Sequence, residues 1–306
     1  ANRTNADLDL YFLSDAGEQK TTSGIKMSVP RHQRGFAFLS SETKLSAYWT
    51  LQTQLSYISD STFMSVWRQP EFRSHAEYET SIYAKYQKDN KAFTALASND
   101  LNGFISTSWL LASRQYKVDK TPELGYYQYG SSIFRDTINW TSELRFMRER
   151  MVFQSGTPNN TGLNRNAFLL PDGTAIGGND AIEDVLTSRG LNEEYQSRFV
   201  ARQEFTMPLK FGNIQFTPFA SIQMNWRLDD ETSGPNQNTD YWYRTIGFRA
   251  TTQFNRIYNT IDNDLLDLHR LRHVIEPYVT VWNGESDIDT ATIQQYDARV
   301  DNLSTG

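Results

Sequence analysis

The segment IQFTPFASIQMNWRL, Ile214 to Leu228, alternates along its length. Ile214, Phe216, Pro218, Ala220, Ile222, Met224, Trp226 and Leu228 are apolar or small. Gln215, Thr217, Ser221, Gln223, Asn225 and Arg227 stand between them, and only Phe219 breaks the series. A period of two predicts a β-strand with one apolar and one polar face. KLSAYWTLQTQLSYI (Lys44 to Ile58) repeats the pattern, with Leu45, Ala47, Trp49, Leu51, Leu55 and Tyr57 on one face and Ser46, Thr50, Gln52, Gln54 and Ser56 on the other. SIFRDTINWTSELRF (Ser132 to Phe146) repeats it again. YWYRTIGFRATTQF (Tyr241 to Phe254) does so less cleanly, because Arg244 falls in the apolar series. Weaker alternation predicts strands near 6–13, 34–41, 77–87, 91–98, 104–111, 196–209 and 272–282.

Length is what makes these strands unusual. Strands of soluble proteins average about five or six residues, whereas each strong segment reaches the ~9–11 residues a tilted strand needs to cross a bilayer. Helical patterning is scarce. NDAIEDVLTSRG (Asn179 to Gly190) predicts one helix, capped by Asn179 or Asp180 and stopped by Gly190. It lies inside a polar stretch over 154–195, long enough to suggest a functional loop. KFGN (Lys210 to Asn213) and KDNK (Lys88 to Lys91) read as tight turns, while 59–76, 154–195 and 229–240 read as long connections. Outer-membrane barrels pair short periplasmic turns with long outer loops. The up-and-down parity fails around 112–131 unless residues 123–148 form one strand disturbed at Gly130.

The expected fold is all-β, an antiparallel transmembrane β-barrel. Lipid outside and a hydrated lumen inside account for both faces of such strands. Trp226 and Trp242 flank the loop at 229–240 and would stand at one height, as an interfacial girdle does. The bland alternative is a large soluble β-sandwich or β-helix whose apolar face packs on a second sheet.

Composition narrows this further. The 306 residues carry a net charge of −6, which argues against nucleic acid as a partner, since phosphate neutralisation needs clustered Lys and Arg. There is no cysteine, so disulfides and thiolate metal sites are excluded from this segment. A mean hydropathy of −0.61 does not rule out a membrane, since a barrel presents only every second residue to lipid. The start, ANRTNADLDL, lacks a signal peptide's basic and apolar regions and predicts a cytoplasmic protein or a mature or internal piece of a longer chain. No GxSxG, GxGxxG or P-loop occurs, so neither catalysis nor a cofactor is expected.

LRHVIEPYV (Leu271 to Val279) resembles the Arg-His-x-x-Glu-Pro signature of a late barrel strand in the LptD family, the outer-membrane lipopolysaccharide-assembly proteins. RGFAFLSS (Arg34 to Ser41) and LSYISDSTFM (Leu55 to Met64) resemble two earlier segments of that family. HAEYETSIYAKYQKDNKAFTAL (His75 to Leu96) is similar to its next strand pair, and MPLKFGNIQFTPF (Met207 to Phe219) to a later one. The resemblance implies that 1–306 is part of one outer-membrane β-barrel domain. About a dozen of roughly two dozen strands would be present. The family's periplasmic N-terminal domain and last strands would be absent, and 154–195 would be an extracellular loop that folds inward. The implied function is insertion of lipopolysaccharide into the outer leaflet of the bacterial outer membrane, with acyl chains leaving between weakly paired strands. The implied partners are lipopolysaccharide, membrane lipid, an LptE-like plug lipoprotein, an LptA-like periplasmic bridge protein and the barrel-assembly machinery. A passive porin, a TonB-type transporter and a soluble β-rich glycan-binding protein are the alternatives.

The candidate substrate path is the polar series Gln52, Gln54, Gln215, Thr217, Ser221, Gln223, Asn225 and Arg227, read as lumen-facing; plain solvated strand surface is the simpler meaning. Arg272, His273, Glu276 and Pro277, the family motif, could hold a charged network in the lumen or shape a strand entry, since proline marks a strand start, bulge or edge. His269 and His273 have a zinc-like i, i+4 spacing only if helical, and no third ligand is evident, so no metal site is expected. Arg145, Arg148 and Arg150 read as a solvated rim or as contacts to lipid phosphates. The sequons at Asn139, Asn159 and Asn302 are short enough to arise by chance.

Overall fold

The computed structural model describes residues 3–21, 23–30, 32–163, 168–170, 173–229, 240–263, 265–289 and 293–301. The chain is all-β. One antiparallel sheet dominates, built from β1 (Arg3–Ser14), β4 (Gln33–Lys44), β5 (Trp49–Ile58), β6 (Thr80–Lys88), β7 (Lys91–Asn99), β8 (Tyr116–Ile133), β9 (Ile138–Phe153), β10 (Gln196–Thr206), β12 (Ile214–Arg227), β13 (Tyr241–Thr252) and β16 (Tyr278–Ser286), in that order. Short β11 (Leu209–Phe211) also pairs with β12, and β2 (Glu18–Lys20) pairs with β3 (Lys26–Ser28). β14 (Phe254–Asn263) and β15 (Leu268–Ile275) form a separate hairpin between β13 and β16. The sheet is open: β1 and β16 are its two edges, and no closed barrel forms among the described residues.

Connections alternate in length. Residues 45–48, 89–90, 134–137 and 207–213 link strands at one end, the short-turn end. Segments 15–32, 59–79, 100–115, 154–195 and 228–240 link them at the other. Among the described residues, five short α-helices all lie on the long-loop side: α1 (Phe63–Trp67), α2 (Gln69–Phe72), α3 (Ser108–Ser113), α4 (Ile182–Ser188) and α5 (Ala298–Asp301). Among the described residues, no helix is long and apolar enough to cross a membrane.

The hydrophobic core is not between the sheet and a second layer. It sits at the long-loop end, where Phe63, Met64, Phe72, Ile105, Leu110, Leu111, Phe168, Ile182 and Leu186 from the connections close over Phe36, Ile58, Met151 and Phe153 from the strands. The stretch 154–195 is part of this packing through Phe168, Leu170, Ile176, Ile182 and Leu186.

Several sequence expectations are corrected. Residues 44–58 are not one strand: β4 ends at Lys44, and Leu45 to Tyr48 turn before β5. Neither Ser132–Phe146 nor 123–148 is one strand either. Phe134, Arg135 and Asp136 all adopt positive φ, and the chain reverses there to pair Ile133 with Ile138. The apparent parity failure was this hairpin, whose turn carries an apolar residue, Phe134. Residues 104–111 lead into α3, where Leu110 and Leu111 are both buried, and adjacent residues on a strand face opposite ways. The stretch 272–282 divides between β15 and β16. α4 forms as expected but is capped by Ala181, because the Asp180 carboxylate accepts from the Gly177 amide instead.

Candidate functional site, the polar face of the sheet

Strand register sorts the side chains into two faces. One face carries Leu8, Leu10, Leu55, Ile82, Phe93, Leu124, Phe205, Ile246 and Val281, and all are exposed. Leu55 is 51% and Ile246 66% exposed. The other face, here the inner face, buries Arg34, Glu123, Arg145, Glu149, Arg198, Gln223 and Asn225. Soluble proteins do the reverse: large contiguous apolar exposure is rare, and buried charge is costly unless paired.

Every predicted path residue falls on the inner face. Gln52 and Gln54 sit opposite Tyr83 and Ser81. Ser221, Gln223, Asn225 and Arg227 sit opposite Glu204, Arg202, Val200 and Arg198, and Gln215 and Thr217 continue the same side of β12. They do not share one environment. Gln223 and Asn225 are buried. Gln52 and Gln54 line an open polar groove of about 490 Å³ with Asp7 and Ser40. Gln215 lines another of about 600 Å³ at the short-turn end, with Lys210, Asn255 and Glu276.

At the long-loop end, Arg34 of β4 is fully enclosed. Its Nε and Nη2 donate to both oxygens of Asp60, at 3.0 and 2.9 Å, and its Nη1 donates to Asp15 at 2.9 Å and Gln19 at 2.6 Å. The Asp60 carboxylate also accepts from the Ser59 and Thr62 hydroxyls. Burial alone would raise the Asp60 pKa. The Arg34 hydrogen bonds and charge, with Ser59 and Thr62, outweigh it and hold this carboxyl below the usual aspartate range. Arg34 lies on β4 and Ser59-Asp60 in the connection after β5, and the fold brings them together.

Further along, β8, β9 and β10 present Lys120, Glu123, Arg145, Glu149 and Arg198 to the inner face. Arg145 Nη2 donates to Glu123 at 2.7 Å, and Lys120 Nζ donates to the same carboxylate at 2.9 Å. Arg198 Nε lies 2.5 Å from Glu149. The remaining counter-charges come from segment 293–301. Asp297 accepts from Lys120 and Arg145, each at 2.6 Å, and Asp301 accepts from both terminal nitrogens of Arg198, at 2.5 and 3.2 Å. Burial would raise the Asp297 pKa, but the charges of Lys120 and Arg145 hold it well below the usual range. Sequence reading missed Lys120, Glu123, Glu149, Arg198, Asp297 and Asp301. The available signal was ionisable residues at the polar positions of long strands.

Arg145 therefore belongs to no solvated rim; it is fully buried inward. Arg148 and Arg150 face the opposite way, both guanidiniums stacked over the Tyr195 ring, with Arg150 also paired to Asp119. The reading of three arginines at one site is corrected by strand parity: 148 and 150 share a face and 145 does not.

The series Arg272, His273, Glu276 and Pro277 also divides. Arg272 and His273 are exposed on the β14–β15 hairpin, and among the described residues no ion pair joins either to Glu276. A charged network of these residues is not assembled. Pro277 does mark a strand start, immediately before β16, and its carbonyl accepts from the Thr252 amide at 3.2 Å. His269 and His273 lie on β15, where an i, i+4 spacing spans roughly 13 Å and brings no two ligands together. Trp226 and Trp242 share the outward face on adjacent rungs, since Met224 pairs with Trp242; the loop expected between them lies mostly outside the described residues. No family model matches the chain, and no curated protein matches it.

Proposed function

We propose that this chain forms part of the wall of an outer-membrane β-barrel of the LptD family, which inserts lipopolysaccharide into the outer leaflet. The observation that carries the reading is the inverted polarity of the sheet. Leu55, Ile82, Ile246 and Val281 point away from every described layer, while Arg145 and Arg198 point inward. Lipid is the solvent that makes the first arrangement favourable, and a hydrated, counter-charged interior makes the second affordable. Short turns on one side and long packed loops on the other support the same orientation.

The lipopolysaccharide assignment rests on the resemblance of Arg34–Ser41, Leu55–Met64, Met207–Phe219 and Leu271–Val279 to that family. The sugar portion would travel along the polar inner face, past Gln52, Gln54, Gln215 and Gln223, and the acyl chains would leave sideways at a strand edge into membrane lipid. An LptA-like bridge protein would deliver the substrate, an LptE-like lipoprotein would plug the lumen, and the barrel-assembly machinery would fold it. A soluble glycan-binding protein would not leave so much apolar strand surface bare. A passive pore is disfavoured by segment 293–301, which lies across the inner face.

The test is depletion of the full-length protein in its own host, followed by antibody access to surface lipopolysaccharide. Glycolipid stalled inside, while other barrels still assemble, is the expected result. Normal surface glycolipid after complete depletion overturns the assignment.

A further inference from the structure

Residues 293–301 run across the inner face of β8, β9, β10, β12 and β13. The Tyr116 hydroxyl donates to the Gln295 carbonyl at 2.8 Å, and Gln223 Nε2 donates to the Val300 carbonyl at 2.9 Å. Gln196 bonds the Tyr296 hydroxyl, Met147 and Val200 close over Val300, and Tyr241 packs on Ile293. Both acids of the segment land on cations of the wall, Asp297 on Lys120 and Arg145, and Asp301 on Arg198.

We propose that Lys120, Arg145 and Arg198 form an anion site on the inner face. Segment 293–301 is an internal strap whose Asp297 and Asp301 carboxylates occupy that site until a phosphate-bearing headgroup displaces them. The inference rests on the transport reading and adds the chemistry and regulation of its path.

Three observations carry it. First, the strap's acids are in excess: Glu123, Glu143 and Glu149 of the wall already match Lys120, Arg145 and Arg198 in number, and Asp297 and Asp301 carry the cluster two charges negative. Second, Arg145 is fully buried, yet its Nε and Nη1 have no hydrogen-bond partner among the described residues; Glu143 Oε1 stands 4.0 Å from Nε, beyond hydrogen-bond reach. A carboxylate that already accepts from Lys120 and Arg145 Nη2 leaves those donors idle. A phosphate, with more acceptor oxygens, would engage them. Third, the strap carries hydrogen bonds of its own. Asp301 Oδ2 accepts from the amides of Tyr296 and Asp297 at 2.8 and 2.7 Å, so the turn around the acids is closed locally. The wall behind it has its own strand pairing from β8 to β10, with register shifts in β8 at Lys120/Glu123 and Gln128/Ser131.

The experiment uses the full chain in detergent with two probes, inorganic pyrophosphate and micellar lipopolysaccharide, titrated calorimetrically. These 306 residues contain no cysteine, and Val200 and Val300 share one buried cluster, so a Val200→Cys, Val300→Cys pair is oxidised to lock the strap, with formation of the disulfide confirmed by mass before binding is read. Binding is expected to fall at least about tenfold in the oxidised form and to return on reduction. In Asp297→Asn, Asp301→Asn, binding is expected to tighten by about tenfold. Tightening with either probe supports the site and names its source, free phosphate or glycolipid headgroup. Equal binding by the oxidised and reduced pair overturns it, and that arm decides even if the double Asn variant does not fold. Membrane fractionation of the reduced pair is read alongside. A protein that binds pyrophosphate under strap control but does not partition into membrane sinks the transport reading and leaves the anion site standing.

Discussion

Arg34 and Asp60 meet fork to fork, Nε and Nη2 against both carboxylate oxygens, at 3.0 and 2.9 Å. This pair ties β4 to the connection that follows β5, beneath the packed long loops. Breaking a buried pair by removing one partner costs about 3–5 kcal/mol, because the other charge stays buried. Arg34→Ala is therefore expected to lower the urea midpoint of the folded protein strongly. Arg34→Lys should recover little, since an ammonium cannot make the fork or reach Asp15 and Gln19 at once. A wild-type midpoint in Arg34→Ala would refute the account.

Acid should act on the long-loop end in two opposed steps. Glu77 and Glu79 are both shifted upward, first by burial; Arg114 opposes this at Glu77 and the Ser98 hydroxyl at Glu79. Their folded state holds protons that the unfolded state releases, so they cost stability at neutral pH. That cost disappears as pH falls through their folded values toward the ordinary ~4.3. Asp60 and Asp297 are shifted downward, so their contribution is present above the ordinary ~3.9 and is lost as pH falls through their folded values. Protection factors, corrected for the intrinsic pH dependence of exchange, should rise across 73–79 on mild acidification and fall across 59–62 at lower pH. Glu77→Gln with Glu79→Gln should erase the first step only.

The two faces of the sheet should differ in their tolerance of charge. If the sheet is a membrane wall as proposed, Leu55→Lys or Ile246→Lys places an ammonium in lipid, at a cost of about 2–4 kcal/mol near the midplane. Ser81→Lys and Gln52→Lys place it on the inner face, in or beside the polar groove, and should assemble normally. The readout is the folded fraction in isolated membranes by heat-modifiable gel migration. Equal tolerance on both faces would remove the basis for a membrane wall.

Gly247 is required by close approach rather than by a special backbone angle. A Cβ there would stand 2.4 Å from the Val281 carbonyl oxygen and 2.7 Å from the Phe219 ring. The carbonyl belongs to the neighbouring strand and cannot rotate away. Gly247→Ala is expected to cost about 1–3 kcal/mol by overpacking and to loosen β13 from β16. Faster amide exchange over 278–286 would register it, and unchanged exchange would contradict it.

Phe219 shows how local the legible information was. It breaks the alternation of β12 because it fills the inner face beside Gly247 and Trp282, a contact between strands that no single strand reveals. The eight polar residues from Gln52 to Arg227 share one face of the sheet, since a period of two is a property of neighbouring residues. Which of them would be buried was not legible. Gln223 is covered by Val300, and Gln215 opens into the groove with Glu276, because of chain brought back from far away in sequence.

The sequence by itself determined the strand character, the two-faced pattern and the short and long connections, all consequences of side-chain alternation and turn chemistry over a few residues. Only the tertiary structure decided the charge pairing. Arg145 meets Asp297, and Arg198 meets Asp301, across more than a hundred residues of chain. A buried guanidinium must be neutralised, but its own strand does not dictate which carboxylate does so. That choice belongs to the register of the sheet and to the path of the segment that crosses it.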